Sequence, residues 1–245
     1  MAESWLARTE LLLGPEALEQ LKNARVAILG LGGVGGSAAE ALCRAGIGHM
    51  LLIDHDKIDP SNLNRQILAT QNTIGMDKTQ AALERLFSIC PSGDFSGEAR
   101  FYLPEDCDFL YSWQPDFIID AIDTITAKLH LFEQCQHSQI PLLTCLGTGN
   151  RLDPSLLRIG DLADTAKGCG CGLARVMRRE LRRKGFFHGR VLYSLEPPLK
   201  TVASQANGRH APGSISFVPP AAGFLLAAET VKFLLDKSSA IRYNL

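Results

Sequence analysis

A glycine-rich turn between an apolar segment and a helical pattern constrains the fold of this chain more than any other feature. Residues 25–29 form an apolar run of strand length, and a segment with five glycines follows without a spacer. The segment matches G-x-G-x-x-G at Gly30, Gly32 and Gly35. In that pattern one glycine makes a tight turn, one lets the backbone approach a phosphate, and one lets the next helix pack closely on the strand.

The residues after the turn complete the pattern of a nucleotide-binding unit. We predict a helix over residues 34–45, whose free N-terminal N–H groups would face an anion. A second strand over residues 49–53 leads to Asp54, where a carboxylate would accept hydrogen bonds from ribose hydroxyls. The pattern therefore indicates nucleotide binding; the alternative is a glycine turn that only packs a helix on a sheet.

The composition is that of an ordinary soluble globular protein. The 245 residues are 46% hydrophobic and 21% charged, which suits one large α/β domain with an added lobe. We expect no membrane helix, because no span of about eighteen apolar residues stands out, and no secretory signal, because the first residues lack a basic start. The formal net charge of -1 means that nucleic-acid binding would need a local basic patch.

Alternating strand and helix patterns predict a doubly wound, Rossmann-like α/β fold. Such alternation gives a mostly parallel sheet with helices on both faces and right-handed crossovers. Beyond residue 150 we expect a C-terminal extension of strands and helices, ending in a long apolar helix that Pro219 and Pro220 open. The further predicted strands cover residues 98–103, 116–123, 141–145, 156–159, 190–194 and 214–218, and the further predicted helices cover 79–89, 124–137 and 172–185.

Three regions follow from this pattern. Residues 1–24 read as an N-terminal helical segment with a break at Gly14 and Pro15, residues 25–150 as the nucleotide-binding domain, and residues 151–245 as a C-terminal lobe packed on the same sheet. Within the lobe, residues 197–212 form a loop rich in Pro, Gly, Asn and Ser, which we expect to be mobile.

Polar side chains crowd the segment after the second strand. A dehydrogenase would need only the first acid, whereas the amides and the guanidinium that follow suit a triphosphate tail; a capped turn is the alternative. Lys78 opens the next predicted helix, where the helix dipole disfavours a cation, and a bound phosphate would relieve that conflict. The residues in question are Asp54, Asp56, Asp59, Asn62, Asn64, Arg65 and Gln66.

Two acids end the predicted strand at residues 116–123. Ligands of open parallel sheets lie outside the carboxyl ends of the strands, so Asp120 and Asp123 are expected at the same crevice as the glycine turn. A carboxylate beside a nucleotide phosphate commonly holds Mg²⁺. Asp123 is therefore a candidate metal ligand; it could also cap the helix that follows.

Two sets of cationic residues remain. Arg8, in the N-terminal segment, could clamp a phosphate or be a solvated surface charge. The helix predicted over residues 172–185 has a single acid, Glu180, and its concentration of arginines suggests a phosphate backbone as partner, with a solvated face as the alternative. Its arginines are Arg175, Arg178, Arg179, Arg182 and Arg183.

Cys169 and Cys171 flank a glycine just before that helix. Three interpretations stay open: a thiol activated by the helix N-terminus and nearby arginines, half of a metal site, or reduced cysteines of no consequence. Zinc sites need a second pair of suitable spacing, and none occurs. The odd total of seven cysteines, without a disulfide framework, favours reduced thiols and a cytoplasmic protein.

Five motifs in order resemble the ubiquitin-activating-enzyme-like superfamily, the adenylate-forming proteins of thiamine and molybdopterin synthesis. They lie at residues 30–35, 54–56, 62–66, 75–78 and 120–123. The resemblance implies a homodimer that binds ATP and Mg²⁺, with Asp123 on the metal, Asp54 on the ribose and Arg8 reaching the other subunit's site. The implied catalytic residues are Arg8, Arg65, Lys78 and Asp123, and the implied ATP-binding residues are Gly30, Gly32, Gly33, Gly35, Asp54, Asp56, Asn62, Arg65, Gln66 and Lys78.

The second half resembles one branch of that superfamily, the tRNA threonylcarbamoyladenosine dehydratases. Residues 149–154, 161–165, 173–181 and 212–219 carry this likeness. Two departures from the activators of ubiquitin-like proteins agree with it: their paired C-x-x-C zinc ligands are missing, and Thr124 stands where they usually carry asparagine. The branch implies tRNA as substrate, and the wider family a sulfur-transfer partner of the cysteine desulfurase kind.

The implied activity is ATP-dependent cyclisation of a modified adenosine in tRNA, and two other functions compete with it. One is an adenylyltransferase that activates the C-terminus of a small sulfur-carrier protein. The other is a nicotinamide-dependent oxidoreductase, which the glycine turn alone would permit. Against the oxidoreductase stand Asn62, Arg65 and Lys78, which NAD does not need.

Overall fold

A single mixed sheet organises the residues that the computed structural model describes, 5–199 and 212–236. Its seven strands lie in the order β3-β2-β1-β4-β5-β7-β6. The neighbours are parallel except for the antiparallel pair β6 and β7. The predicted doubly wound, mostly parallel fold is therefore confirmed. The strands are β1 (Arg25–Leu29), β2 (His49–Ile53), β3 (Asp94–Glu98), β4 (Phe117–Asp120), β5 (Leu142–Cys145), β6 (Leu157–Asp161) and β7 (Arg190–Ser194).

Helices cover both faces of this sheet. Val26 and Ile28 of β1 pack toward one face, under α2, α3, α4 and α8, while Ala27 and Leu29 pack toward the other, under α5, α6 and α7. Burial on both faces explains why β1 and β2 read as continuous apolar runs. The helices are α1 (Ala7–Leu13), α2 (Pro15–Asn23), α3 (Gly35–Ala45), α4 (Lys78–Ile89), α5 (Asp108–Ser112), α6 (Ile125–Ser138), α7 (Gly172–Arg183) and α8 (Val218–Leu235).

Two predicted strands are wrong. The strand expected at 98–103 lies earlier, at Asp94–Glu98, where it forms the sheet edge and buries only Phe95. The sequence of β3 has one large apolar residue, Phe95. The alternating apolar residues Phe101 and Leu103 therefore predict a strand more strongly than the residues of β3 do, but they do not form one. The strand expected at 214–218 is absent from the described residues, because α8 already begins at Val218 with prolines in its first turn.

The expectation that the chain has no apolar span of membrane length is wrong, because α8 is such a helix. It has 18 residues and a mean hydropathy of 1.4, so by length and composition alone it could cross a membrane. In the fold it is a core helix: Ala222 and Leu226 are buried in the sheet-facing core. At Gly223 a Cβ atom would lie 2.3 Å from the carbonyl oxygen of Val34, so α8 and α3 are in close backbone contact.

The predicted break between two N-terminal helices is confirmed at Gly14, which has a φ of +84°. Of the loop predicted at 197–212, residues 200–211 lie outside the described residues. All seven cysteines are free thiols.

Candidate functional site

A cleft of about 470 Å³ opens at the carboxyl ends of the central parallel strands. Open parallel sheets bind ligands at this edge, where the strand order changes direction. Here β1 stands between β2 and β4, so chain segments leave the sheet on opposite sides and leave a crevice between them. Many of the residues predicted to bind ATP or its metal ion line this cleft. They are Gly30, Gly32, Gly33, Asp54, Asp56, Asn62, Arg65, Gln66, Lys78 and Asp123.

The glycine turn is shaped by contacts that no side chain would permit. Gly30 has a φ of +87°, and a Cβ atom there would lie 2.5 Å from the carbonyl oxygen of Ala121. A Cβ atom at Gly35 would lie 1.7 Å from the carbonyl oxygen of Gly30. Gly35 therefore packs α3 against the turn and does not line the cleft.

Gly32 differs from its neighbours because it faces open space. The nearest heavy atom to a Cβ built at Gly32 is Nε2 of Gln66, at 3.9 Å. At Gly33 the corresponding position lies 2.9 Å from the carbonyl oxygen of Arg65. The surface of the cleft at Gly32 is thus bare backbone, which is the arrangement that lets a phosphate approach main-chain N–H groups.

Asp54 ties the end of β2 to the glycine turn. Its Oδ2 accepts a hydrogen bond of 2.6 Å from the backbone N–H of Leu31, and its Oδ1 accepts one of 2.8 Å from the N–H of Asp56. Each carboxylate oxygen has a second acceptor site. The buried carboxylate can therefore take hydroxyl donors without giving up the bonds that fix it.

Lys78 reaches from the first turn of α4 to the acids that follow β2. Its Nζ atom lies 2.6 Å from Oδ2 of Asp56 and 3.8 Å from Oδ2 of Asp54. These carboxylates offset the unfavourable position of a cation at a helix N-terminus. The lysine side chain is 7% exposed, so it is a largely desolvated cation on the wall of the cleft.

The segment after the acids is held by a short 3-10 turn, Pro60–Asn62. Asp59 caps this turn, and Oδ1 of Asn62 accepts from the N–H of Asp59. Arg65 donates from Nη1 to the carbonyl oxygen of Ser61 and to Oδ1 of Asn64. Oε1 of Gln66 is buried and has no hydrogen-bond donor among the described residues. The capped turn considered from the sequence is present, and it also presents polar groups to the cleft.

The two acids at the end of β4 have different surroundings. Asp120 is fully buried and pairs with the equally buried Lys128, whose Nζ lies 2.8 Å from Oδ1 of Asp120. Lys128 also donates to the carbonyl oxygen of Cys145, so this pair joins β4, β5 and α6. Asp120 is not among the residues that line the cleft, contrary to the prediction.

Asp123, in contrast, is exposed at the cleft. The N-cap of α6 is Thr124, without a capping bond from its side chain, so the alternative in which Asp123 caps this helix is wrong. Among the described residues, the Asp123 side chain accepts a single hydrogen bond, of 3.4 Å, from Oγ1 of Thr124. Its carboxylate is available to a ligand.

One wall of the cleft consists of residues 100–104 and His55, which the sequence does not identify as site residues. The rings of His55 and Phe101 stack with centroids 3.4 Å apart. The sequence pattern predicts a strand over residues 98–103, and a strand there would not form this wall. The only available signal was that Phe101 and Leu103 follow β3 in the chain, as Asp54 follows β2.

Arg8 lies away from this chain's own cleft. It is exposed on α1, and the hollow beside α1 is lined by Gly46, Gly48 and Gly93. Gly48 directly precedes β2 and Gly93 directly precedes β3, so this hollow lies at the amino end of the sheet. Arg8 therefore does not contact the glycine turn of this chain.

The arginines of α7 form two groups. Arg178 donates to Oγ1 of Thr165, while Arg179 and Arg183 pair with Glu180. The hydrogen bond from Arg179 is the main cause that holds the pKa of Glu180 below its usual value; Arg183 acts in the same direction and desolvation in the opposite one. Arg175 and Arg182 are exposed and form no ion pair within the described part of the chain. The apolar side of the helix buries Ala174, Met177 and Leu181.

The strand order, the glycine turn and the polar cleft define a nucleotide-binding α/β protein of the Rossmann type. The sequence pattern of the ThiF family matches residues 6–245, so the chain belongs to the ThiF family.

The chain is similar over nearly its whole length to tRNA threonylcarbamoyladenosine dehydratases. It is 38% identical over 241 residues to the tRNA threonylcarbamoyladenosine dehydratase of Bacillus subtilis, covering 94% of both chains. The E. coli tRNA N6-threonylcarbamoyladenosine dehydratase, solved in complex with AMP, superposes with a TM-score of 0.85 at 32% identity and covers 95% of this chain and 94% of that one. The same E. coli protein in complex with ATP also gives 0.85, at 30% identity, covering 96% and 95% of the two chains.

Proposed function

We propose that this chain is an ATP-dependent dehydratase that cyclises N6-threonylcarbamoyladenosine in tRNA. One observation carries the proposal: the dehydratase relatives cover 94% and 95% of the chain, which includes residues of both the cleft and the C-terminal lobe, and E. coli structures of that kind are complexes with AMP and ATP. The cleft supplies the groups that such a reaction needs.

The chemistry begins with a carboxylate, which is a poor electrophile at neutral pH because its leaving group would be oxide. Transfer of AMP from ATP to the threonyl carboxylate gives a mixed anhydride and pyrophosphate. A nitrogen of the ureido linkage then attacks the activated carbonyl carbon, and AMP leaves as the ring closes. The overall change is loss of water from the substrate, driven by cleavage of ATP. The protein contributes mainly positioning and neutralisation of charge.

The adenosine end of ATP would lie at Asp54, whose carboxylate accepts the ribose hydroxyls, with Asp56 beside it. The backbone at Gly32 and Gly33 would face the phosphates. Lys78 would leave Asp56 and pair with the phosphate tail, because a polyphosphate offers it more negative charge than a half-exposed carboxylate. Asn62, Arg65 and Gln66 line the same side of the cleft and would complete the contacts with the tail.

We propose Asp123 as the ligand of Mg²⁺. A single exposed carboxylate on the phosphate side of the cleft fits this ion, which usually keeps several waters and binds one or two carboxylates with substrate phosphates. The ion would neutralise charge on the phosphate oxygens during transfer. Asp54, His55 and Asp56 also bring ligand atoms within 4.8 Å of one another, but Asp54 is the residue that we propose for the ribose.

The proposed partners are tRNA and a second copy of the chain. The exposed arginines of α7 would contact the RNA backbone, and Arg8, which lies away from its own cleft, would reach the cleft of the second subunit. The described residues offer no argument for a sulfur-transfer partner, so none is proposed. The free thiols fit a cytoplasmic enzyme.

The decisive experiment is nucleoside mass analysis of tRNA after incubation with the protein, ATP and Mg²⁺. We expect threonylcarbamoyladenosine to lose one water only when all three are present. If ATP–pyrophosphate exchange responds to a peptide ending in Gly-Gly and not to tRNA, the chain is an activator of a carrier protein. If NAD stabilises the protein against heat and ATP does not, the proposed chemistry is wrong.

A further inference from the structure

The loop before α7 brings two thiols and a buried cation together, outside the nucleotide cleft. Cys169 is buried and Cys171 is half-buried. Gly170 between them has a φ of +57°, a left-handed conformation that turns the chain back on itself. The two thiols are neighbours in this loop, and each shifts the pKa of the other.

Backbone N–H groups surround the second of these thiols. Cys171 is the N-cap residue of α7 and makes no standard capping bond. The backbone N–H groups of Ala174, Gly147 and Leu173 nevertheless lower the pKa of this thiol. Gly147 leaves little room on the other side, since a Cβ atom there would lie 3.1 Å from this sulfur.

A second observation, independent of the helix end, is the buried guanidinium of Arg151. The residue is 3% exposed, and its Nη2 donates to the carbonyl oxygen of Cys169 at 3.3 Å. Its Nε and Nη1 are buried and have no acceptor among the described residues. A buried cation with unused donors beside Cys169 indicates that this loop can hold an anion, and a thiolate is the anion that the loop itself can provide.

The two thiols are polarised in opposite directions. Interaction with the Cys169 thiol and with backbone N–H groups lowers the pKa of Cys171 well below that of an ordinary thiol, although burial acts in the opposite direction. The interaction between the thiols, together with burial, raises the pKa of Cys169. A reactive thiolate beside a protonated resolving thiol has this arrangement.

We propose that Cys171 and Cys169 form a peroxide-reactive thiol pair that closes reversibly to a disulfide. The Cys171 thiolate attacks the terminal oxygen of a hydroperoxide, the O–O bond breaks, and the alkoxide or hydroxide leaves with a proton as alcohol or water. The resulting sulfenic acid is attacked by the sulfur of Cys169, which loses its proton. The S–O bond breaks and water leaves. Two thiols are oxidised by two electrons, and the peroxide is reduced by two. A dithiol reductant reverses the change.

The test uses the full-length protein and two reagents, iodoacetamide and hydrogen peroxide. At pH 6.5 we expect iodoacetamide to modify Cys171 about tenfold faster than Cys90, a half-buried cysteine elsewhere on the surface, because far more of Cys171 is thiolate. After one equivalent of peroxide, the peptide with Cys169 and Cys171 should lose two hydrogen atoms and resist alkylation until dithiothreitol is added.

Three variants distinguish the steps. Cys169→Ser should stop at a sulfenic acid that dimedone traps, Cys171→Ser should give neither sulfenic acid nor disulfide, and Cys90→Ser should behave as the wild type. Equal alkylation rates at Cys171 and Cys90, or peroxide oxidation without a 169–171 disulfide, would overturn the proposal. These readouts on the wild-type protein stand even if a variant folds poorly, and they do not depend on the dehydratase reaction.

Discussion

Nζ of Lys78 lies 2.6 Å from Oδ2 of Asp56 on the wall of the cleft. The lysine is nearly buried, whereas the Asp56 side chain is half-exposed. A pair with one exposed partner contributes only about 1 kcal/mol, so a polyphosphate can displace the carboxylate. The lysine is thus held near its working position before the nucleotide arrives.

Replacing Lys78 tests this role directly. Lys78→Ala should reduce turnover by about 100-fold or more, the usual effect of removing one group that stabilises developing charge. We expect the variant to remain folded, since Asp56 can be solvated. Release of AMP and the mass of the tRNA nucleoside measure turnover. Lys22→Ala, which removes an exposed lysine from α2, is the control and should be fully active.

Asp123→Ala should separate binding from chemistry. Because Asp54 and the glycine turn would hold the adenosine end, AMP should still raise the melting temperature as it does in the wild type. Turnover with ATP and Mg²⁺ should fall by about 100-fold. The exposed Asp108 of α5 gives a matched control, Asp108→Ala, with wild-type turnover. Normal turnover in Asp123→Ala would remove this residue from the mechanism.

Gly32 and Gly35 should respond differently to the same substitution. Gly32→Ala adds a methyl group in open space, so the free protein should melt normally while ATP affinity falls about tenfold or more, a cost in the range of one overpacked methyl group. Gly35→Ala places a methyl group against the carbonyl of Gly30 and should lower the free energy of unfolding by about 1–3 kcal/mol. Calorimetry with ATP and urea unfolding measure the two effects. Equal stability losses would contradict the described turn.

The exposed arginines of α7 should carry the salt dependence of tRNA binding. Arg175→Ala with Arg182→Ala removes two charges that form no ion pair in the described chain, so tRNA affinity should fall and the slope of log affinity against log salt should decrease by about 1 to 2. Arg178→Ala and Arg179→Ala test the paired arginines separately. Lys22→Ala again serves as control, at the opposite end of the sheet. An unchanged slope would make α7 a solvated surface.

Glu40 should make stability depend on pH. Burial raises the pKa of this carboxyl. Hydrogen bonds from Arg85 and Arg44 together lower the pKa by more than burial raises it, so the net shift is downward. A lowered pKa in the folded state stabilises the protein above the unfolded pKa, and the stabilisation is lost as pH falls through the folded value. Glu40→Gln should therefore cost about 1 kcal/mol at pH 7 and progressively less below pH of about 4. Urea unfolding across this range measures the difference.

The central sheet was predictable because its strands are buried on both faces. The residues of β1 and β2 are continuous apolar runs followed by a glycine turn and an acid, and both strands have the predicted bounds. The edge strand β3 lacks this signal, since pairing with β2 fixes it and only Phe95 is buried. The position of β3 therefore depends on pairing with β2 and not on the strand preference of its own residues.

The charged and polar residues of the cleft could be predicted from the sequence. The wall formed by residues 100–104 could not, because its place in the cleft depends on the position of β3 in the sheet. Asp54 and Asp123 lie at the ends of predicted strands, Lys78 opens a predicted helix, and all three line the same crevice. Asp120 has the same residue type and a similar place in the chain, yet it is buried against Lys128. The sequence could not reveal this pairing, because a lysine in a helix is normally a solvated residue.

The buried pair of Lys128 and Asp120 also sets limits on motion. One ammonium group holds the end of β4, the end of β5 and the second turn of α6, and Oδ1 of Asp120 also receives the N–H of Ile122. The segment that carries Asp123 is therefore anchored from below by bonds that cannot be exchanged for water. The cleft is therefore rigid on the side of Asp123. Any adjustment to a bound nucleotide must come from the opposite side, where longer side chains such as Arg65 and Lys78 line the cleft.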